Sequence, residues 1–320
     1  VVIQTLDMEK SLITSDQTSS FSLIPRSFIV VELAMAGKDT QPIKLYDIFD
    51  GFGQFEDVFT TPDALFAKVD KVYEGLLKKV EGIYPDSGIH DCILDADLAG
   101  ILAHEAIGHT TEADLVLAGS VAANLMDQEV ASPLVTLVDF AHTAYGKTCP
   151  VPVCVDDEGV KAEDAMIIEK GILKSYMHNK DSAQKFQMPL TGNARAMQFY
   201  DEPLIRMRNT AILPGKSQLK EMIASIDDGY YLMKSSNGQA DSTSEFMFGV
   251  VQGYEVKNGK LGRALKDITI SGIAFDVLKS VSMISDDLVW GNAGMCGKKQ
   301  RIPVGMGGPA IKCKVNIGGK

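Results

Sequence analysis

Between Leu65 and Val80 apolar residues return every three or four positions: Leu65, Phe66, Val69, Val72, Tyr73, Leu76, Leu77 and Val80. That spacing predicts an amphipathic helix with one face on a core. Thr61 suits the N-cap, Pro62 the first helical position, and Asp63 the positive helix start. Upstream the texture is β-rich, with a strand predicted over residues 28–33 and a break at Gly51-Phe52-Gly53. A Gly/Pro-bearing stretch, 82–88, separates the helix from a short strand at 90–94. Asp95 can then cap a second helix in which Leu98, Ile101, Leu102 and Glu105 share one side.

Beyond residue 130 short β-type runs dominate, at 134–140, 150–155, 165–169, 172–177, 246–257 and 268–271. Glu169-Lys170-Gly171 and Asn258-Gly259 read as hairpin turns. Helices are predicted at 181–186, from Ser217 with Leu219, Met222, Ile223 and Ile226 on one face, and across 275–281. Strands outnumber helices without βαβ alternation, so the class is α+β. The expected division is an α/β N-terminal domain over residues 1–130 and a mostly antiparallel β domain over 131–320.

Composition narrows the function classes. The 320 residues are 45% hydrophobic and 23% charged, with 31 basic against 42 acidic side chains. A net charge of −11 argues against general nucleic-acid binding, which rests on Lys/Arg neutralising phosphates. Cys92, Cys149, Cys154, Cys296 and Cys313 are odd in number and form no Cys-x-x-Cys pair, which suits a reducing compartment. No apolar run approaches the ~18 residues of a membrane span, and no leader pattern opens the chain, so a cytoplasmic location is expected. The first residues, Val1-Val2-Ile3, lack a Met, and a truncated N-terminal region is expected.

The second helix carries the chemistry. His104-Glu105-Ala106-Ile107-Gly108-His109 places two of the five histidines around a carboxylate. In His-Glu-x-x-His the imidazoles share a helix face and a zinc ion, and the Glu serves as general base. Here the interval is one residue longer. At about 100° per residue, i,i+5 leaves two side chains about 140° apart on an α-helix. Two remedies follow: the helix widens into a π-bulge, or it stops at Gly108 and His109 swings back. Two unrelated histidines are the plain alternative.

A catalytic zinc takes three protein ligands. From the residues alone, Cys296 ranks first, Glu129 second, and Glu112 with Asp114 third, the last pair also being compatible with a solvent-facing turn. Cys296 lies between glycines in a polar loop that includes Asn292 and Ala293, where Gly294 and Gly297 would permit close approach and Lys298 and Lys299 would favour a thiolate. Cys92, Cys154 and Cys313 sit in strand-like stretches and read as packing residues.

Several segments in order then resemble the TldD/PmbA family. They are the His104–His109 stretch with Glu112-Ala113-Asp114, Thr191-Gly192-Asn193-Ala194-Arg195, and Arg206-Met207-Arg208-Asn209 leading to Leu213-Pro214-Gly215. Cys296-Gly297-Lys298, Gln300, Pro303-Val304-Gly305 and Gly318-Gly319 complete the set. Ile205 and Arg208 stand where a Pro and a small polar residue are expected. The family has carried the label "modulator of DNA gyrase", and its TldD branch is a zinc metallopeptidase acting on small or unfolded peptides. The resemblance implies His104, His109 and Cys296 as zinc ligands and Glu105 as general base. It also implies a longer N-terminal region and a dimer, either a homodimer or a heterodimer with a PmbA-type subunit.

The expected function is zinc-dependent hydrolysis of such peptides. The rival is a non-catalytic binding protein, acting on gyrase or a toxin–antitoxin pair, with a structural metal site or none. Gly305-Met306-Gly307-Gly308 suggests phosphate contact but lacks a strand–loop–helix context, so a turn is expected there. Arg195, Arg206 and Arg208 are candidates for a peptide carboxylate or for surface salt bridges.

Overall fold

The computed structural model describes residues 1–37, 41–291 and 294–318, so Asn292, Ala293 and Gly319 of the sequence reading lie outside the described residues. The fold is α+β. Its first part is a ribbon of three long antiparallel strands, Val2–Ile13, Ser19–Ala36 and Pro42–Phe52. The helix Pro62–Val80 packs on it through Val72 and Leu76, which are buried with Ile29, Val31, Leu45 and Phe49. Thr61 is the N-cap residue, but its side chain makes no capping hydrogen bond. The apolar stripe is also only partly covered. Phe66, Tyr73 and Leu77 stay exposed while Gly75 is buried, its position leaving room for Leu45 and Gln252. Spacing identifies the amphipathic helix; the ribbon decides which flank of the stripe it covers.

Two sheets follow. The larger runs in the order Asp228–Ala240, Gly88–Leu94, Ile311–Gly318, Ile268–Ile273, Glu245–Lys257, Lys260–Ala264. Asp228–Ala240 also pairs with Glu245–Lys257, so five of these strands form a closed ring. Gly88–Leu94 is parallel to Asp228–Ala240 and antiparallel to Ile311–Gly318. This sheet therefore crosses the residue-130 boundary expected from chain texture. The smaller sheet runs Val289–Gly291, Gly305–Gly308, Asn209–Ile212, Leu137–Phe140, Ala165–Glu169, Ile172–Leu173. Both hairpin turns are present, with positive φ at Lys170, Gly171, Asn258 and Gly259.

Four expected elements differ. Residues 134–140 form a strand only over Leu137–Phe140. Residues 172–177 form a strand only over Ile172–Leu173. Residues 150–155 form none: Val151 and Val153 point into a core, but Pro150 and Pro152 have no N–H to give a neighbour. Instead the Asn209 side chain accepts from the Val151 N–H at 2.8 Å and donates to its carbonyl at 2.8 Å. Gly305–Gly308 is a strand rather than a turn. Close approach requires glycine on both sides of this strand: a Cβ on Gly307 would lie 2.6 Å from the Trp290 ring, and one on Gly100 of the second helix 2.8 Å from the Gly307 nitrogen.

That second helix is positioned between the sheets. Leu98, Leu102 and Ile107 are fully buried in one cluster with Leu137, Ile168 and Ile212 of the smaller sheet and Leu232, Phe248, Ile270 and Ile311 of the larger. Each such side chain contributes about 1.5–3 kcal/mol relative to exposure. The helix is therefore fixed in depth and rotation before any chemistry is considered.

Candidate metal centre

Asp95 caps the helix Ala96–Ile101, its carboxylate accepting from the Leu98 N–H at 3.0 Å. From Leu102 to Gly108 the helix is a π-helix. The N–H of His109 donates to the carbonyl of His104, five residues back, so one wide turn closes between the two imidazoles. A 3-10 turn, His109–Thr111, ends the segment. Thr110 and Thr111 donate from their hydroxyls to the Ile107 carbonyl at 2.9 Å each, and Thr111 also to Gly108 at 3.0 Å. They satisfy carbonyls that a helix end would leave without partners. Gly108 is not a stop, its φ being −56°. It is small because a Cβ there would lie 1.9 Å from the Met207 sulfur.

The widened turn sets the imidazoles of His104 and His109 with ring centroids 5.2 Å apart, crossed at 77°. Cys296, from the short strand Met295–Cys296, completes the group. One ligand atom from each of His104, His109 and Cys296 lies within 4.8 Å of the others, and Cys296 Sγ is 3.4 Å from His109 Nε2. Cys296 and His104 are buried; His109 is partly exposed. The Glu105 carboxylate lies 3.7 Å from His109 Nε2 with its side chain 24% exposed, so it faces the donors and is reachable from outside. Glu129 is exposed, paired only through its backbone with Ile172, and takes no part in the group.

A metal ion fits these residues. Both nitrogens of the His104 ring are buried without a hydrogen-bond partner. A buried polar atom left unpaired is costly, and such atoms are uncommon in folded chains. Two imidazoles and a thiol are donors of the type zinc takes. Burial raises the Cys296 thiol, but the adjoining His104 and His109 outweigh it and draw it down to about 3. Burial works against a charged His109, yet Glu112 and Cys296 raise it to about 10. The centre thus favours a thiolate.

Around the donors lie residues whose parts the sequence did not disclose. Glu112 is fully buried rather than solvent-facing, and it accepts from His109 Nδ1 at 2.9 Å. Because a carboxylate only accepts, this bond holds a proton on Nδ1, so Nε2 is the nitrogen a metal would take in exchange for its proton. Lys298 does not reach the thiol; it pairs with Glu112 at 3.1 Å and Asp114 at 2.7 Å. Arg195, Arg206 and Arg208 are buried, neither surface residues nor free for a carboxylate ligand. Arg206 donates to the carbonyls of Cys296 at 2.8 Å, Lys298 at 2.9 Å and Gln300 at 3.0 Å, holding the cysteine loop by its backbone. Arg195 donates to Met207 and Pro303 carbonyls at 2.6 and 2.9 Å. Arg208 pairs with Asp139 at 2.8 Å, both fully buried, and Asp139 also accepts from Asn193, Asn209 and Thr210.

The glycines of the cysteine loop have packing roles where they have any. A Cβ on Gly294 would meet the Val304 carbonyl at 2.7 Å, while one on Gly297 would meet open space. Among the cysteines read as packing residues, Cys92 and Cys313 are buried opposite each other across two strands, whereas Cys154 is exposed. Val151 and Val153 face the core, so Cys154 falls on the opposite, outer side.

Fold and donor set together define a candidate metal-binding α+β protein whose ligands come from one helix and one distant loop. A family model, the PmbA/TldA metallopeptidase C-terminal domain, matches residues 87–319, and the chain belongs to the PmbA/TldD metallopeptidase family. A Buchnera aphidicola protein named metalloprotease TldD homolog is 39% identical over 238 residues, 73% of this chain and 49% of its own length. A Saccharolobus solfataricus protein named zinc metalloprotease TldD homolog is 33% identical over 314 residues, 97% of this chain and 67% of that one. The chain thus spans about half the length of the first relative and two thirds of the second. Among solved structures, a Thermotoga maritima protein labelled a modulator of a DNA gyrase superposes with TM-score 0.79 at 20% identity, covering 99% of this chain and 68% of that one. TldE from Thermococcus kodakarensis gives 0.74 at 18%, covering 95% and 65%. These two likenesses speak for the fold. Among the described residues no helix is long and apolar enough to cross a membrane.

Proposed function

We propose that this chain is the metal-holding part of a zinc-dependent peptidase that hydrolyses small or unfolded peptides. His104, His109 and Cys296 would hold the ion and Glu105 would be the general base. One observation carries the reading: three soft or borderline donors converge, and the His104 ring among them has no protein partner for either nitrogen. The zinc metalloprotease name of the Saccharolobus relative supports the choice of metal.

Zinc supplies Lewis acidity that lets water act as a nucleophile near neutral pH. The chain's own work falls mainly to Glu105. Its carboxylate takes a proton from the attacking water and returns it to the leaving amine. Glu112 keeps the His109 proton on Nδ1, away from the reacting side. A thiolate among the ligands moderates the electrophilicity of the centre, which suits peptides that are already extended. Such peptides can bind through main-chain hydrogen bonds to a strand edge, with weak sequence preference. The proposed assembly is a two-subunit enzyme, as a homodimer or with a PmbA-type partner, as the family resemblance implies.

The test is Glu105→Gln. About one zinc per chain should remain while peptide hydrolysis falls by about 10²-fold or more. Hydrolysis at the wild-type rate in that variant would remove Glu105 from its role.

A further inference from the structure

Lys298 occupies an unusual place. It lies two residues after Cys296, yet its side chain crosses to the segment that follows His109. Its Nζ donates to Glu112 Oε2 at 3.1 Å, to both oxygens of Asp114 at 2.7 and 2.8 Å, and to the Ile205 carbonyl at 3.1 Å. Only 13% of the side chain is exposed, and Glu112 is fully buried. The backbone of the same residue is held too, since its carbonyl accepts from Arg206 at 2.9 Å.

The bonds run in series. Lys298 holds Glu112, and the same Glu112 oxygen, Oε2, takes the His109 Nδ1 proton at 2.9 Å. On the opposite side of that imidazole, Nε2 faces Cys296 Sγ at 3.4 Å. The helix and the loop, separated by 187 residues in sequence, are therefore joined twice: at the donor atoms, and behind them through Lys298. The rear junction needs no metal. Lys298 also balances the two carboxylates, which would otherwise repel each other beside the centre.

We propose that Lys298 is a positioning residue: it latches the Cys296 loop to the histidine helix through Glu112 and Asp114, so that the donor set is assembled before a metal arrives. The inference rests on the metal-centre reading above and adds a residue that contacts no donor atom. Groups one bond removed from a metal ligand commonly change affinity about 10–100-fold when mutated. An ion pair with only a structural part would instead lower the melting temperature of the metal-free chain and leave affinity alone.

The experiment is zinc competition against a chromophoric chelator, using the whole chain and its variants Lys298→Met, Glu112→Gln and the double. Each single variant should weaken zinc binding about 10–100-fold, and the double should be little worse than the weaker single, because both act on one bond series. The His109 Nδ1–H proton resonance should be displaced in both Glu112→Gln and Lys298→Met, since each weakens the charge-assisted bond it reports. Affinity within about twofold of wild type in Lys298→Met, or losses that multiply in the double, overturns the latch. Should Lys298→Met not fold, Asp114→Ala decides: it removes both carboxylate contacts to Lys298 from a partly exposed residue, and unchanged zinc affinity there has the same meaning. A wild-type chain that takes up no zinc overturns the metal centre itself, which separates that failure from failure of the latch.

Discussion

The N–H of His109 bonds to the carbonyl of His104, and this five-residue closure at the end of the π-helix Leu102–Gly108 lets an i,i+5 pair of imidazoles face one point. The same turn brings Gly108 against Met207, so the width of the helix and the packing of the Arg206–Asn209 segment are set together.

Gly108→Ala should disturb both. Its new Cβ would overlap the Met207 sulfur, at 1.9 Å from it, and overpacking of this kind costs about 1–3 kcal/mol. Thermal melts should show the loss, and the same substitution made in a Met207→Ala background should cost far less. An equal loss in both backgrounds would mean that Gly108 is required by the backbone and not by its neighbour.

Cys296→Ala should abolish stoichiometric zinc, whereas Glu129→Ala should leave it intact. Glu129 is exposed and outside the donor group. Elemental analysis of the two purified variants decides between the ligands that the residue types alone left open.

Asp139→Asn should be among the more damaging substitutions away from the centre. It leaves the fully buried Arg208 guanidinium without its counter-charge, and breaking such a pair costs about 3–5 kcal/mol. The expected readout is a lowered denaturant midpoint, with reduced zinc retention following from the loosened Arg206–Asn209 segment.

Asp95 gives a pH signature distinct from the centre. Burial, then the nearby Asp97, raises its carboxyl to about 7. The folded state therefore holds a proton that the unfolded state has released above its ordinary value of 3.8, and stability conferred by this group falls as pH rises from about 4 to 7. Asp95→Asn keeps a good N-cap acceptor and cannot titrate. Wild type should lose stability relative to Asp95→Asn between pH 5 and pH 7.5; a constant difference across that range would contradict the raised value.

Local patterns of the chain carried much of this. The spacing from Leu65 to Val80 specifies a helix, observed as Pro62–Val80, because side-chain periodicity is a property of a few consecutive turns. Asp95 as a cap and Asn258-Gly259 as a turn are likewise short-range chemistry. The π-turn was one of two outcomes open to i,i+5 donors, which meet only if the helix widens or ends, and the fold took the first. What stayed hidden is long-range. The strand Asp228–Ala240 is polar in its second half and carries a register shift between Ser235 and Gly238, so alternation breaks down in it. Its parallel pairing with Gly88–Leu94 has no local signature at all.

At the centre the division is the same. Sequence by itself marked which side chains were candidates to hold a metal, and showed that His104 and His109 could share an ion only if the helix widened or ended between them. Tertiary structure alone brought Cys296 to them, buried Glu112 behind His109, and turned Lys298, Arg206 and Arg208 inward as clamps. The physical reason is that a charged side chain is compatible with water or with burial, and only its partners, arriving from distant stretches of chain, decide which.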